Sequence, residues 1–122
     1  WFVRAGQQGI AAAQARVGIA YASGQGVERD YVKAREWFLQ AAERGDVPAQ
    51  SFLGRLYLNG LGMDEQDLVN AYKWFKIANS NGDQEATNVI ATLRGYMKAE
   101  DITTAEQAAI QWVSEQRASR RR

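Results

Sequence analysis

Residues 13–26 read AQARVGIAYASGQG and residues 49–62 read AQSFLGRLYLNGLG, so one pattern returns after 36 residues. Both segments carry Ala-Gln, a glycine, a tyrosine and a closing Gly-x-Gly at matching positions. The same shift carries the Trp-Phe pair at 1–2 onto the pair at 37–38. Internal repeats with a period of this size are typical of solenoids, in which similar structural units stack on one another.

The spacing changes by one residue in the second half of the chain. From Asp67 onward the shift is 37, so that the Trp-Phe pair at 37–38 recurs at 74–75. One residue has therefore been inserted within residues 63–66. Because insertions are tolerated in exposed connections, this segment is predicted to be a surface loop between two helices.

Each unit is predicted to consist of two antiparallel helices, because apolar residues recur in it at helical spacing. Asp30 and Asp67 stand where the second helix begins, and a carboxylate there can accept free backbone N–H groups. Gly45 and Gly82 stand where that helix ends, as expected for a residue that tolerates positive φ. Pro48 suits the first turn of the next helix, where no internal hydrogen bond is lost.

The repeat fades after the second full unit. A third helix of the first type continues from Ala86 to Leu93, but the glycine and tyrosine positions hold Ala91 and Arg94. The sequence Thr-Thr-Ala-Glu at 103–106 is predicted to be a capping box that opens a last helix. The apolar stripe of that helix, which suits an end cap for a solenoid, consists of Ala105, Ala109, Trp112 and Val113.

The complete pattern resembles the Sel1-like repeat (SLR), a relative of the tetratricopeptide repeat. It comprises Ala-Gln-x-x-Leu-Gly-x-x-Tyr-x-x-Gly-x-Gly, an aspartate at the next helix start, Ala-x-x-Trp-Phe-x-x-Ala and a closing glycine. The resemblance implies an all-α fold, an αα superhelix of about two full and two partial repeats with a C-terminal capping helix. The predicted divisions are a repeat array 1–97 (partial unit 1–10, units 11–46 and 47–83, partial unit 84–97), a cap helix 98–117 and a basic tail 118–122.

The resemblance also has functional implications. Members of the family mostly act as adaptors or regulators through protein contacts, often in bacteria, and the pattern implies no catalytic residue. Members are often exported or part of membrane-linked signalling proteins, so cytoplasmic, exported and periplasmic locations all stay open. The chain starts partway through a unit, so a targeting segment could precede it.

Composition narrows the chemistry that the chain can perform. The 122 residues include neither cysteine nor histidine, which excludes serine triads, cysteine proteases and zinc sites built from those side chains. With 46% apolar residues and fifteen basic against fourteen acidic side chains, the chain has the composition of one folded domain. No apolar run reaches the roughly 18–20 residues that span a bilayer. The chain is therefore predicted not to be an enzyme and to need no cofactor, metal or small-molecule substrate.

Three motifs have a structural explanation beside a functional one. The Trp-Phe pairs are predicted to pack in the core rather than to stack on bases or cage a ligand, and truncation of Trp37 to cost about 3–5 kcal/mol. The two Gly-x-Gly turns lack the strand that precedes a phosphate-binding loop. Asp64, Glu65 and Asp67 lack the ligand spacing of a calcium-binding EF-hand loop, so a solvated acidic loop is predicted.

The concave face is the predicted binding surface, because tetratricopeptide-like solenoids line it with the first helix of each unit. Residues four apart share one face of a helix, and this spacing defines three pairs in neighbouring layers, with two further residues one turn earlier. An aromatic ring, an arginine and amide side chains together are typical of a peptide-recognition surface. A merely solvated face is the alternative that the residues leave open. The predicted partner-binding residues are Ile19, Ser23, Ser51, Arg55, Asn59, Asn88, Thr92 and Tyr96.

The two ends of the chain offer other possible contacts. The chain begins at a helix of the second type, so Trp1 and Phe2 lack their preceding partner and a homodimer could form through this apolar end. Residues 117–122 hold four of the fifteen basic side chains, and such a tail could attract nucleic acid. Without them eleven basic residues face fourteen acidic ones, which argues against a nucleic-acid groove, so no nucleic acid is expected as a partner.

Overall fold

Six α-helices make up the regular structure of residues 2–63 and 65–120, the part of the chain that the computed structural model describes. They are α1 (Phe2–Ser23), α2 (Tyr31–Glu43), α3 (Val47–Asn59), α4 (Leu68–Ser80), α5 (Glu85–Tyr96) and α6 (Ala99–Arg120). No strand occurs within these residues, so the predicted all-α class is confirmed.

The second helix of each full unit begins where the sequence places an aspartate. The Asp30 carboxylate accepts the N–H groups of Val32 and Lys33 at 3.0 and 3.1 Å. The Asp67 carboxylate likewise accepts the Asn70 N–H at 3.0 Å. These bonds satisfy donors that the first turn of a helix leaves without an internal partner. Both predicted N-caps are confirmed.

The predicted helix ends are confirmed as well. Gly45 follows α2 with φ of 98°, and Gly82 follows α4 with φ of 106°. Residues other than glycine rarely adopt a positive φ, because their Cβ atom clashes with the backbone. Pro48 lies in the first turn of α3, as predicted. The chain can therefore reverse direction within a few residues after α2 and after α4.

Within a unit, the first helix approaches the second so closely that glycine is needed at one contact. A Cβ atom added to Gly54 on α3 would lie 3.0 Å from ring atoms of Phe75 on α4. One added to Gly18 on α1 would lie 2.9 Å from ring atoms of Phe38 on α2. Both phenylalanines are buried. The recurring glycine and phenylalanine of the repeat are therefore the two sides of one helix–helix contact.

Of the four aromatic repeat positions whose side chains the structure describes, three lie in the core. Phe38, Trp74 and Phe75 are buried, which confirms the packing interpretation for them. Trp37 is only partly buried, so we now expect its truncation to cost less than the about 3–5 kcal/mol that applies to a fully buried tryptophan. Trp1 lies outside the described residues.

The array is closed by α6, which packs against α4. Its predicted apolar stripe faces the core, since Ala105 and Ala109 are buried and Trp112 meets Trp74 edge-on with ring centroids 5.6 Å apart. One hydrophobic cluster contains residues of α1, α2, α3 and α4 together with the C-terminal half of α6. A second joins α4 and α5 with the N-terminal half of α6. The capping role predicted for the last helix therefore matches its packing.

The first helix is continuous, although the repeat matches Gly9 to a glycine that ends a helix. No helix end separates the partial first unit from the unit that follows it. Where the next unit has the helix-capping Asp46 and then Pro48, the first unit has Ile10 and Ala12. The Ile10 side chain has no oxygen that could accept a backbone N–H as a cap. Ala12, unlike proline, has a backbone N–H and can continue the hydrogen bonding of the helix. The helix α1 therefore runs on without a break.

The last helix begins at Ala99, four residues before the predicted capping box. Thr103 and Thr104 lie inside α6, and their hydroxyls donate to the carbonyls of Ala99 and Glu100 at 3.0 and 2.9 Å. An extended Met97 ends α5, and two acidic residues in the first turn favour the start of α6 through the helix dipole. The interpretation of residues 103–106 as the capping box that opens this helix is therefore wrong, whereas the predicted cap-helix range 98–117 begins one residue before the observed start.

Candidate functional site

The predicted partner-binding residues lie on α1, α3 and α5, the first helices of their units. Seven of them are exposed: Ile19, Ser23, Arg55, Asn59, Asn88, Thr92 and Tyr96. Tyr96 is the most prominent, since 79% of its surface is accessible although it carries a large aromatic ring. Ser51 is the exception, because it is 9% exposed and counts among the buried residues.

The same local hydrogen bond recurs on all three helices. Ser23 Oγ donates to the Ile19 carbonyl at 2.8 Å, and Asn59 Nδ2 donates to the Arg55 carbonyl at 3.1 Å. On α5, Thr92 Oγ1 donates to the carbonyl of the residue four positions earlier at 3.0 Å. Each side chain uses a donor on its own helix and keeps oxygen lone pairs for another donor. This face therefore presents hydrogen-bond acceptors.

Arg55 is held on an aromatic stack. Its guanidinium lies 5.7 Å from the centroid of the Phe52 ring, a distance at which a cation is attracted to the ring face. Phe52 in turn stacks on the buried Phe38 with centroids 5.2 Å apart. Among the described side chains, no carboxylate lies within ion-pair distance of Arg55. The guanidinium is thus positioned by packing while its hydrogen-bond donors stay available for a carboxylate.

A groove of about 370 Å³ lies beside Arg55. One wall is the N-terminal part of α3 and the other is the connection from α4 to α5. Its lining residues are Val47, Pro48, Ser51, Phe52, Arg55, Asn81, Gly82, Asp83 and Glu85. The groove therefore combines apolar walls with one cation and two carboxylates.

Ser51 belongs to the framework of this groove. Its hydroxyl donates to the Asp83 carboxylate, and the other oxygen of that carboxylate accepts the Glu85 N–H at 3.1 Å. These two bonds connect α3 to the start of α5. In the free chain Ser51 therefore positions the next layer, a role that helical spacing alone did not indicate.

Gln50 is a structural residue whose role was not predicted from the sequence. It is fully buried, donates to the Ala42 carbonyl at 3.1 Å and accepts a bond from Asn81 Nδ2 at 3.1 Å. It thereby joins the ends of α2 and α4 to α3. The signal was present, because Ala-Gln recurs 36 residues earlier. There Gln14 donates to Gln40 at 2.9 Å, and its own buried Oε1 lacks a hydrogen-bond partner among the described residues.

A second groove, of about 460 Å³, lies at the C-terminal end of α5. Thr92 and Tyr96 from the predicted binding face line it, together with mostly apolar residues. Also on α5, Arg94 Nη1 donates to the Tyr72 hydroxyl at 2.9 Å and lies 3.6 Å from Glu106 of α6. The bond to Tyr72 raises the pKa of Arg94 above its already high value, so this link between α4, α5 and α6 keeps its charge.

The remaining predicted features contribute less to a site. Asp64 of the acidic loop lies outside the described residues, while Asp67 caps α4. Of the residues considered for other contacts, Trp1, the last two arginines and the side chains of Phe2 and Arg120 also lie outside the described part of the chain. No helix in the described ranges combines the length and the hydropathy that a membrane crossing requires.

Comparisons with known proteins place these observations in context. The family model of the Sel1 repeat matches residues 11–46 and 47–83. The solved structure of a protective antigen present in uropathogenic Escherichia coli strains, which displays an SLR fold, is similar with 35% sequence identity and a TM-score of 0.82. A Sel1 repeat protein from Oxalobacter formigenes is similar with 33% identity and a TM-score of 0.63. The predicted resemblance and the superhelical class are thus confirmed.

These similarities cover different shares of the proteins compared. The first covers 93% of this chain and 24% of the Escherichia coli chain. The second covers 69% of this chain and 62% of the Oxalobacter chain. The chain therefore spans about a quarter of the first neighbour and less than two-thirds of the second. The comparison with curated proteins found no match.

Proposed function

The chain belongs to the Sel1 repeat family, and from this premise we propose that it is a non-catalytic module that binds a segment of a partner protein. Sel1 repeats generally serve as protein–protein interaction modules, and helical solenoids of this kind are typically scaffolds. The proposed binding surface is the face formed by α1, α3 and α5, which carries the predicted residues. An adaptor, a regulator and an inhibitor would all work through such a contact.

The main support for the proposal is the environment of Arg55. Its guanidinium is positioned over Phe52 at the edge of a groove and lacks an ion-pair partner among the described side chains. A preorganised arginine loses little side-chain entropy when it binds a carboxylate. The acceptors at Asn59 and Thr92 suit backbone N–H groups of an extended segment, and Tyr96 offers an apolar surface. The proposed partner segment therefore carries at least one carboxylate, which binds Arg55, and at least one apolar residue.

The affinity for a short segment should be modest. Only two layers of the face carry an arginine or a tyrosine, so a dissociation constant of roughly 1 µM, near −8 kcal/mol, is expected. Longer partners that reach further along the array would bind more tightly. Once the first contact has formed, each further contact is intramolecular, so the partner's translational freedom is lost only once.

Affinity capture with a matched control tests this proposal. The wild-type chain, Arg55→Glu and Lys33→Glu are each immobilised and exposed to lysate of the source organism, and the eluates are compared by mass spectrometry. Lys33 is a suitable control because it too is an exposed cation above an aromatic ring, 5.5 Å from the centroid of Tyr21, but lies on α2. The proposal predicts a protein that wild type and Lys33→Glu retain and Arg55→Glu loses. Equal retention by all three would contradict it.

A further inference from the structure

The groove at the C-terminal end of α5 is lined by residues from α3, α4, α5 and the loop before α4. Four of its lining residues are aliphatic, and Tyr96 forms an exposed aromatic rim. The full lining is Leu58, Gln66, Leu68, Val89, Thr92, Leu93 and Tyr96. The groove faces outward at the edge where the units turn from their first to their second helix.

The preceding unit shows what occupies the equivalent place. The repeat shift equates Leu58, Leu68 and Val89 with Ala22, Tyr31 and Phe52. There the Gly-Leu-Gly turn at 60–62 closes over the edge. Leu61 packs against the same hydrophobic core as Ala22, Tyr31 and Phe52.

The backbone of that turn lies very close to the helix it covers. Gly62 has φ of 78°, and a Cβ atom added to it would lie 2.8–2.9 Å from backbone atoms of Tyr31 and Val32. A side chain at this position would therefore clash with the start of α2. In the preceding unit, this edge is therefore covered by a leucine with a glycine on each side, and Gly62 is needed because the backbone of the turn lies so close to the start of α2.

The third unit does not supply this turn. The shift places Met97, Lys98 and Ala99 at the positions of the Gly-Leu-Gly turn. Met97 packs against the same core cluster as Leu58, Leu68 and Val89 but does not line the groove. Lys98 is exposed, and Ala99 is already the first residue of α6. The chain continues directly into α6, which packs on α4, and no turn follows α5. Lys98, at the position of the leucine, does not line the groove, so the groove beside Leu68 stays open.

We propose that this groove binds a leucine side chain that a partner protein presents on a glycine-flanked turn. The bound turn would take the place that residues 60–62 take one unit earlier, with its glycine against the start of α4. This inference rests on the proposed function, since Thr92 and Tyr96 belong to the proposed binding face, and it names the chemistry that one end of that face recognises.

A peptide taken from the chain itself is the probe. A linear peptide with the sequence of residues 57–66 contains the Gly-Leu-Gly turn, and its control carries serine in place of the leucine. Each is titrated into the isotope-labelled full chain while backbone NMR shifts are followed. The proposal predicts shifts centred on Leu58, Val89 and Leu93, a dissociation constant of roughly 1 mM and at least about tenfold weaker binding of the serine peptide. Equal binding of both peptides, or shifts elsewhere, would overturn it.

Protein variants separate the groove from the rest of the face. Thr92→Glu places a charge in the apolar groove and should weaken peptide binding at least about tenfold, because burying an unpaired carboxylate is unfavourable. Thr104→Glu makes the same change at an exposed position of α6 that does not line the groove, and should leave binding unchanged. Equal effects of the two variants would overturn the assignment.

Two further outcomes are informative. If the groove resonances shift with protein concentration when no peptide is present, a second copy of the chain occupies the groove, and the proposal of a partner turn falls. If the peptide does not bind while Arg55→Glu still abolishes capture of a partner, this inference fails and the proposed function stands. Loss of both would remove the binding face altogether.

Discussion

The contact between Gly54 and Phe75 sets the distance between the two helices of a unit, and a single methyl group tests it. In Gly54→Ala, the added Cβ would lie 3.0 Å from Cδ2 and Cε2 of Phe75, whereas ordinary carbon contacts are about 3.5–4.0 Å. Phe75 is 2% exposed, so its ring has little room to move away. Overpacking of this kind costs about 1–3 kcal/mol.

Gly9 provides the matched control. It too lies inside a helix, but nothing lies within 4 Å of an added Cβ. Gly9→Ala should therefore show the gain in helix propensity alone, about 0.5–1 kcal/mol of added stability. The two variants share this gain, so the difference between them measures the clash. We expect Gly54→Ala to be less stable than Gly9→Ala by about 1–3 kcal/mol.

Thermal unfolding followed by circular dichroism measures this difference. For a domain of this length, 1 kcal/mol shifts Tm by about 4 °C, so the two midpoints should differ by about 4–12 °C. Phe75→Leu, which makes room beside Gly54, should reduce the penalty of Gly54→Ala by at least about 1 kcal/mol in a double-mutant cycle. If Gly54→Ala raises Tm as much as Gly9→Ala does, the close contact does not set the helix spacing.

Three further predictions concern stability. Asp67→Ala removes the N-cap of α4 and should lower the free energy of unfolding by about 0.5–2 kcal/mol in urea titrations, and an unchanged midpoint would contradict the capping role. Trp74→Ala, at a buried ring that meets Trp112, should cost about 3–5 kcal/mol by the same measurement, clearly more than Trp37→Ala at the partly exposed equivalent, and equal losses would refute this ranking. Burial raises the pKa of the Tyr57 hydroxyl, so the folded chain holds this proton more tightly than the unfolded one. The resulting stability is present below about pH 10 and is lost as pH rises through the folded-state pKa. Tyr57→Phe should therefore lose less stability than wild type between about pH 9 and pH 11, and parallel losses would show that this hydroxyl is not responsible.

Local chemistry explains which parts of the fold could be read from the sequence. The caps at Asp30 and Asp67 depend on a carboxylate and the N–H groups two or three residues away, so they are visible in the sequence. The continuous α1 was also readable in principle, because Ile10 stands where a capping aspartate would be needed. Gly9 therefore lies inside α1, whereas Gly45 is followed directly by Asp46, which caps α3.

The start of α6 could not be decided by motif. Thr103 with Glu106 fits a capping box, but threonine hydroxyls also bond to the carbonyl four residues earlier inside a helix, as both threonines do here. The extended backbone of Met97 ends α5, and α6 then begins at Ala99. The packing of α6 against α4 is a tertiary contact, which a local motif does not encode.

The candidate site was predictable as a set of exposed positions but not as a set of grooves. Helical spacing correctly placed Arg55 and Tyr96 on the surface of first helices. It could not show that Phe52 supports the guanidinium, nor that Ser51 is engaged by Asp83. These contacts join residues that are adjacent only after the units have stacked.

A titration of the captured partner segment tests the central claim most directly. Its affinity is measured by calorimetry for the wild-type chain, Arg55→Glu and Lys33→Glu under the same salt conditions. A hydrogen bond between charged groups contributes about 1.5–3 kcal/mol, so Arg55→Glu should weaken binding at least about tenfold while Lys33→Glu leaves it within about twofold. Equal affinities for all three would place the contact elsewhere and contradict the account of this face.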